Sequence, residues 1–133
     1  VVIGLADLSR RLQDLEGCVV VVEIWATDCG ACQSPHAAVR TLSETYQEEG
    51  LALFQVAIDD DPEAVAQWLL RDRLRSPALV LSAAVQSELG PQLARHGMSW
   101  DGTRPYFALL SRPGAVLHSG STPPTDAQVR RAL

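Results

Sequence analysis

The sequence predicts an α/β protein in which a mixed central β-sheet has helices on both faces. Two continuous apolar runs, residues 19–25 and 51–58, are typical of strands that are buried on both faces. A stretch with helical periodicity joins them, and two strands joined by a helix form a right-handed parallel crossover. Two later apolar segments flank the turn sequence SRPG, residues 111–114, which predicts an antiparallel hairpin. Parallel and antiparallel strands together make the predicted sheet mixed.

The predicted helices follow from apolar residues that recur three and four positions apart. Such spacing covers residues 4–15 and residues 31–49, and Gly50 is a suitable C-terminal end for the second of these helices. Further helices are predicted for residues 85–96 and 124–133, a short strand for residues 78–81, and the two hairpin strands for residues 105–110 and 115–118.

The acidic run at residues 59–61 is interpreted as a turn followed by a helix start. Asp61 is a suitable N-cap, and Pro62 is favourable at the first helical position. A calcium loop is a poorer explanation, because it needs alternating ligands and a distal glutamate.

Length and composition favour one globular domain, residues 1–133. Hydrophobic residues make up 47% of the 133 residues, enough to build a core without covalent cross-links. The formal net charge is −5, and the basic residues are all arginines, scattered along the chain, so no basic stripe indicates a nucleic-acid partner. We expect a monomer.

No part of the sequence predicts a membrane span or a secretory signal. The apolar runs are shorter than the roughly 20 residues that cross a bilayer. The chain begins at Val1 rather than Met, which is compatible with a processed chain or an excised domain that has lost a signal peptide or an anchor.

The segment WATDCGAC, residues 25–32, places two cysteines one helical turn apart where the first buried strand ends. Cys29 is predicted at a helix N-terminus, where free N–H groups and the helix dipole favour its thiolate. Cys32 would lie one turn further in, less exposed and close enough to resolve a mixed disulfide. The third cysteine, Cys18, should lie about 25–35 Å away along an extended strand. We interpret it as an unpaired, small, buried hydrophobic residue.

WATDCGAC resembles the active-site segment of the thioredoxin superfamily, and in particular the TlpA/ResA-like branch of bacterial extracytoplasmic thiol–disulfide oxidoreductases. Two further segments carry the resemblance. VAIDDDPEAV, residues 56–65, is similar to a strand-to-helix passage of that branch, and GTRPYFALLSRPG, residues 102–114, is similar to its cis-proline loop and following hairpin. The resemblance covers residues 5–133 and implies the thioredoxin fold, a three-layer α/β/α arrangement.

The resemblance also implies roles for individual residues. Cys29 would attack a disulfide of a protein substrate and Cys32 would resolve the mixed disulfide, so this redox-active pair needs no cofactor. Pro105 would be a cis-proline beside the cysteines, and the backbone of Arg104 would pair with an extended substrate strand. The local sequence alone would favour an ordinary trans proline at the start of a strand. The other residues predicted to bind substrate are Trp25, Asp28, Gly30 and Ala31.

Glu23 interrupts the apolar run of the first strand, six residues before Cys29. Thioredoxin carries a buried acid at this position. Burial favours the neutral form of a carboxyl group, and such a group could take or give the proton of Cys32 during exchange. The alternative is a glutamate near the strand end whose carboxylate reaches solvent.

Three residues depart from the family pattern. Asp28 replaces the usual tryptophan, and its charge opposes a thiolate on Cys29, whereas a nearby Arg104 would favour one. Ala31 replaces the proline between the cysteines, a position that tunes the redox potential across the family. Pro35 follows the second cysteine by three residues rather than five, which moves the helix irregularity toward the active site. Because the charge effects have opposite signs, the sequence leaves the redox direction open.

A metal site is the main alternative use of the cysteines. Cys32 and His36 lie four residues apart on one helical face, so Cys29, Cys32 and His36 could in principle bind zinc or copper. However, His96 and His118 belong to distant segments, and a surface position near the helix start explains His36 more simply. We therefore predict that no metal is bound.

The sequence as a whole predicts a thiol–disulfide oxidoreductase. The resemblance implies a periplasmic or otherwise extracytoplasmic reductant of protein disulfides, with cytochrome c maturation as a candidate process. A membrane or thioredoxin-type protein would be the electron partner. Two alternatives stay open, an oxidase that donates its disulfide and a non-catalytic binding module, and a cytoplasmic location also stays open. The intact cysteine pair argues against the module.

Overall fold

The structure, a computed structural model, describes residues 2–3, 5–72 and 78–133. Within these residues it contains a six-stranded sheet with the strand order β1-β4-β3-β2-β5-β6. The strands are β1 (Val2–Ile3), β2 (Val19–Trp25), β3 (Leu51–Ile58), β4 (Ala78–Leu81), β5 (Tyr106–Leu110) and β6 (Val116–Gly120). The helices are α1 (Leu8–Asp14), α2 (Gln33–Tyr46), α3 (Pro62–Asp72), α4 (Gln86–Ala94) and α5 (Asp126–Ala132).

The sheet is mixed, as the sequence predicts. Strands β1, β4, β3 and β2 pair in parallel, β5 pairs antiparallel with β2, and β6 pairs antiparallel with β5. Helices α1 and α4 pack on one face, and α2, α3 and α5 pack on the other. The predicted three-layer α/β/α arrangement is therefore confirmed.

The predicted strands are more accurate than the predicted helix ends. Strands β2, β3 and β4 have the predicted bounds. The helices are shorter than predicted because the chain forms tight 3₁₀ turns next to them, a common arrangement at helix ends. These turns are Leu5–Asp7, Gly30–Cys32, Gln47–Glu49 and Ala83–Val85. Strand β1 was not predicted, since two residues carry no periodicity, and Gly4, in the first predicted helix, lies outside the described residues.

Strand β2 determines where the site forms, because every one of its residues is buried. Val20 and Val22 pack with α1 and α4, whereas Val19 and Val21 pack with α2 and α5. Side chains alternate between the faces of a strand, so Glu23 lies on the face that α2 covers. The polar residue of β2 is thereby directed into the core.

Arg112, in the turn between β5 and β6, joins three chain segments at the opposite end of the sheet. Its guanidinium donates to the carbonyl oxygens of Gly17 at 2.8 Å, Glu49 at 3.2 Å and Leu133 at 3.3 Å. These carbonyls lie just before β2, just before β3 and at the chain end. The Arg112 side chain thus holds the backbone in place where both central strands, β2 and β3, begin.

We expect Arg112→Ala to lower the free energy of unfolding by about 2 kcal/mol, since three carbonyl groups lose a charged donor. Urea denaturation at pH 7 measures this change. The control is Arg130→Ala, because Arg130 forms an exposed pair with Asp126 at 2.7 Å, a pair worth at most about 0.5 kcal/mol. Equal losses in the two variants would contradict the role given to Arg112.

Candidate active site

The cysteine pair lies directly beyond the end of β2. Cys29 and Cys32 form a disulfide with their Cα atoms 5.3 Å apart. Cys29 is the N-cap residue of the 3₁₀ turn Gly30–Cys32, and α2 follows that turn. Cys29 is partly exposed, whereas Cys32 is 3% exposed. The predicted difference in accessibility is confirmed, and Cys29 is the sulfur that an incoming molecule meets first.

Cys18 is a free thiol at the start of β2, the strand end away from the disulfide. The prediction that it does not pair with the other cysteines is confirmed. It is half-buried against the core cluster on the α1 and α4 face, so the prediction of full burial is only partly correct.

The residues around the disulfide divide into an exposed and a buried set. Asp28, Gly30 and Ala31 are exposed beside Cys29. Trp25, in contrast, is 1% exposed, which corrects the prediction that its side chain binds substrate.

Trp25 instead belongs to a small apolar cluster with Cys32 and Val65. Its ring centroid lies 4.7 Å from that of Trp68 on α3. Trp25 and Glu23 are two residues apart and therefore lie on the same face of β2. Through the cluster that it shares with Cys32, the tryptophan packs on the buried side of the disulfide.

The Arg104–Pro105 peptide bond is cis, as the resemblance implies. Pro105 is buried and Arg104 is exposed. The next residue, Tyr106, begins β5 and pairs with Ile24, one residue before the end of β2. Since β2 continues directly into the cysteine loop, the cis-proline lies at the same end of the sheet as Cys29.

The Arg104 side chain reaches across to the end of β3. Its Nη1 donates to the carbonyl oxygen of Ile58 at 3.3 Å. The next residue, Asp59, accepts hydrogen bonds from the backbone N–H of Thr27 at 2.9 Å, from the Thr27 hydroxyl, and from the backbone N–H of Asp61 at 2.9 Å. Asp59 thereby joins the loop before the disulfide to the end of β3.

The environment of Asp59 favours its ionised form. Burial raises the pKa of Asp59, but the hydrogen bonds from Thr27 and Asp61 and the positive charge of Arg104 outweigh burial and hold that pKa below its usual range. The predicted turn at residues 59–61 and the predicted N-cap, Asp61, are confirmed. The contact between Asp59 and Thr27 was not predicted. That contact joins residues 32 positions apart, and no local pattern indicates it.

Glu23 is fully buried on the α2 face of β2, so the alternative of a solvent-reaching glutamate is wrong. His36 Nδ1 lies 2.8 Å from Oε2 and 3.0 Å from Oε1 of Glu23. Gln55, the direct neighbour of Glu23 on β3, donates from Nε2 to Oε1 at 3.1 Å. The side chains of His36 on α2 and Gln55 on β3 therefore both contact the buried Glu23 carboxylate.

His36 is not at the surface, which corrects the sequence prediction. It is 4% exposed, and its ring meets Trp68 edge-on with the ring centroids 4.5 Å apart. The spacing in α2 contained the signal, because His36 precedes Val39 by three residues and continues the buried stripe through Leu42 and Tyr46. The residue type, a histidine near a helix start, misled the prediction.

Within residues 2–3, 5–72 and 78–133, no group of three His, Cys, Asp or Glu side chains comes together in a way that could hold a metal ion. Of the helices within the same ranges, none is both long and apolar enough to cross a membrane.

A groove of about 870 Å³ opens beside the cis-proline loop. Trp100 lines it, and its Nε1 donates to the Thr103 carbonyl at 2.8 Å, which holds the loop before Pro105. Met98, Thr103, Tyr106 and Ser119 also line the groove. The groove therefore borders the loop that leads into the cis-proline.

The chain combines the thioredoxin fold with a disulfide-bonded C-x-x-C at the end of β2 and a cis-proline at the same end of the sheet. It is similar in sequence to proteins named as a thiol:disulfide interchange protein and a thiol-disulfide oxidoreductase. The model of the family described as Redoxin matches residues 8–133, and the chain belongs to that family.

Two curated relatives are similar in sequence. The chain is 28% identical over 117 residues to the thiol:disulfide interchange protein DsbE of Pseudomonas aeruginosa, with 86% of this chain and 58% of that protein covered. It is 32% identical over 59 residues to the thiol-disulfide oxidoreductase ResA of Oceanobacillus iheyensis, with 44% of this chain and 31% of that protein covered. The chain thus spans less than two thirds of each relative.

Solved structures share the fold. A thioredoxin-family thiol:disulfide interchange protein from Chlorobium tepidum superposes with a TM-score of 0.71 at 17% identity, over 90% of this chain and 83% of that one. A secreted thiol-disulfide isomerase from Corynebacterium glutamicum gives a TM-score of 0.71 at 17% identity, over 91% and 71% of the two chains. These similarities confirm the predicted thioredoxin fold.

We expect Asp59→Ala to destabilise the protein in a pH-dependent way. Because the folded-state pKa is lowered, the ionised carboxylate stabilises the fold above the unfolded pKa of about 4, and this contribution is lost as the pH falls through the folded value. The deficit should be about 1 kcal/mol at pH 7, a figure discounted for partial exposure. Urea unfolding at pH 7, 5 and 3 measures it.

The deficit should be smaller at pH 3, which lies below the unfolded pKa, because the carboxyl is protonated in the unfolded chain there and the ionised form contributes less to the stability of the fold. Asp14→Ala is the control, because Asp14 is exposed at the end of α1 and should show little effect at any of these pH values. A deficit of the same size at pH 7 and pH 3 would argue against a charge-dependent role for Asp59.

Proposed function

We propose that the chain exchanges disulfides with protein substrates through Cys29 and Cys32, as an extracytoplasmic reductant. The observation that carries the proposal is the disulfide between a partly exposed and a buried cysteine at the end of a buried strand. Such a pair offers one sulfur to a substrate and keeps the other for the second attack.

The proposed reaction has two steps. In the reduced protein, the Cys29 thiolate attacks a substrate disulfide, a bond forms to one substrate sulfur, and the other substrate sulfur leaves as a thiolate. Cys32 then attacks the Cys29 sulfur, which closes the Cys29–Cys32 bond and releases the second substrate thiolate. Two electrons pass from the protein to the substrate, so the proposal requires no cofactor.

Glu23 is proposed as the group that exchanges the proton of Cys32. A thiol must lose its proton before it attacks, and a buried thiol cannot pass that proton directly to bulk water. Glu23 lies on the sheet face covered by α2, the helix that begins directly after Cys32. Its partner His36 is one helical turn from Cys32.

The substrate is proposed to bind along the backbone of Arg104. Arg104 is exposed and precedes the buried cis-Pro105 at the sheet end that carries Cys29. An extended substrate segment could pair with this backbone as an added strand. The exposed residues Asp28, Gly30 and Ala31 would contact the same segment, and the groove beside Trp100 could receive its side chains.

The electrostatics at Cys29 favour a reductant over an oxidase. A strong oxidant has a stabilised thiolate in its reduced form. Here Asp28 is exposed next to Cys29 and opposes a thiolate, while the Arg104 guanidinium is bound to the Ile58 carbonyl and lies beside Asp59. Because the guanidinium is engaged at the end of β3, these contacts support the proposal that Asp28 has the larger influence on Cys29 and that the disulfide form is favoured.

The relatives support the proposed location and client class. DsbE and ResA are named for disulfide exchange, and a structural neighbour is described as secreted. Resemblance to the TlpA/ResA-like branch extends the proposal to cytochrome c maturation, with a membrane or thioredoxin-type protein as the electron donor.

We expect the Cys29–Cys32 reduction potential to lie near or below about −250 mV, in the range of thioredoxin-like reductants. Equilibration against glutathione and dithiothreitol buffers measures it. Asp28→Asn should raise the potential, because removal of the negative charge stabilises the Cys29 thiolate. A wild-type value between about −120 and −180 mV would instead indicate a disulfide donor.

We expect Cys29→Ser to abolish the reduction of insulin disulfides, because the attacking thiolate is gone. Cys32→Ser should accumulate a mixed disulfide with the substrate, since the resolving step is blocked. Cys18→Ser is the matched control and should keep nearly full activity. Wild-type protein that fails to reduce insulin would favour the non-catalytic binding module.

A further inference from the structure

Glu23 and His36 form a buried pair between β2 and α2. The two residues are 0% and 4% exposed, and His36 Nδ1 lies within 3.0 Å of both carboxylate oxygens. Phe107 is the neighbour of Glu23 on β5 and is itself fully buried. The pair therefore lies in the buried interior, where an ion without hydrogen-bond donors would be strongly destabilised.

The hydrogen-bond pattern indicates which protonation state of Glu23 is stabilised. The Gln55 amide N–H can only donate, and it points at Oε1. An ionised carboxylate only accepts, so it can receive the Gln55 N–H and a His36 Nδ1–H together. Hydrogen bonds of this kind to an ionised acceptor are about twice as strong as neutral ones.

We propose that His36 is a positioning residue that holds Glu23 as the ionised base for the Cys32 proton. The inference rests on the proposed function, in which Glu23 exchanges that proton. Without His36, the buried ionised carboxylate would lose one of the donors that stabilise it relative to the neutral form, which cannot accept a proton. His36 thereby extends the resolving step to lower pH.

In the resolving step, the Cys32 thiol transfers its proton to Glu23 and the Cys32 sulfur attacks the Cys29 sulfur. The bond from Cys29 to the substrate then breaks. The electron pair of that bond leaves with the substrate thiolate. When a donor later reduces the Cys29–Cys32 bond, the proton returns from Glu23 to the Cys32 sulfur.

Several groups border this pair from the surrounding elements. Strand β3 contributes the neutral Gln55, β5 contributes Phe107, and α3 contributes Trp68. Cys32, directly before α2, packs in the apolar cluster that contains Trp25 and Trp68. Charged residues at this end of the sheet include Asp28, which is exposed, and Asp59 with Arg104, which lie at the end of β3.

The test separates the two thiol steps with 5,5′-dithiobis(2-nitrobenzoate). Cys29 of the reduced protein attacks this probe and releases one coloured thiolate, and Cys32 then resolves the mixed disulfide and releases a second. Stopped-flow absorbance from pH 5.5 to 9.5 gives the rate of each phase. The Cys32→Ala variant gives only the first phase, which assigns that phase to Cys29 and the second phase to Cys32.

We expect His36→Leu to slow the second phase at least about tenfold at pH 6, the lower end expected for loss of one hydrogen bond to a charged group. The two proteins should converge at high pH, so the midpoint of the second-phase profile moves upward. His36→Asn, which keeps an N–H donor near the position of Nδ1, should stay within about threefold of the wild type. The first phase should be unchanged in both variants.

His118→Leu is the matched control, because His118 bonds to the Thr122 carbonyl on the β6 side of the sheet. It should leave both phases unchanged. A second-phase profile of His36→Leu that superimposes on the wild type would overturn the inference. Nitrogen NMR of the wild-type protein gives an independent check, and an unprotonated Nδ1 on His36 in the reduced protein at pH 7 would overturn it without any variant.

Glu23→Gln distinguishes failure of this inference from failure of the proposed function. If Glu23→Gln leaves the second phase unchanged, the proposed proton role of Glu23 is wrong. If Glu23→Gln slows it and His36→Leu does not, only the inference about His36 is wrong. When both are right, the double variant should be no slower than Glu23→Gln alone, because the two residues act through one group.

Discussion

The burial of an ionisable side chain within β2 is the constraint on which the site depends. Glu23 stands in a strand whose residues are all buried, and a carboxylate in that position requires donors from neighbouring elements. Strand β3 provides Gln55 through its parallel register, and α2 provides His36. The His36 contact joins α2 to the sheet at Glu23, and Cys32 is buried directly before the same helix.

The exposed half of the site is held by a different set of interactions. Asp59 binds the backbone and the hydroxyl of Thr27, and Arg104 binds the carbonyl of Ile58. The cysteine loop is therefore attached to the end of β3, and the cis-proline loop before β5 is attached to the same strand end. Two separate polar clusters lie at the sheet end that carries the disulfide, one at the surface and one in the core.

The sequence predicts the parts of the fold that depend on local patterns. The apolar runs of β2 and β3 and the residues that cap α3 have local signals, and the cysteine spacing identifies the site. The contacts that organise the site join distant positions, such as Asp59 with Thr27 or Glu23 with His36. Their residue types are compatible with surface positions, so only the strand register and helix rotation reveal their partners. Trp25 was predicted to bind substrate because of its place in the motif, although the strand that it ends was predicted to be buried on both faces.

The separation of the two clusters has a consequence for how the chemistry is controlled. The proton affinity of the Cys29 thiolate responds to surface charges such as Asp28, which water and salt screen. In the proposed mechanism the proton of Cys32 is exchanged inside the protein, where the dielectric is low and one hydrogen bond to an ionised group has a larger effect. Under that proposal, substitutions near Asp28 change the reduction potential without disturbing the resolving step, whereas the Glu23–His36 pair governs resolution. Separate residues would then set the potential and the rate of one disulfide.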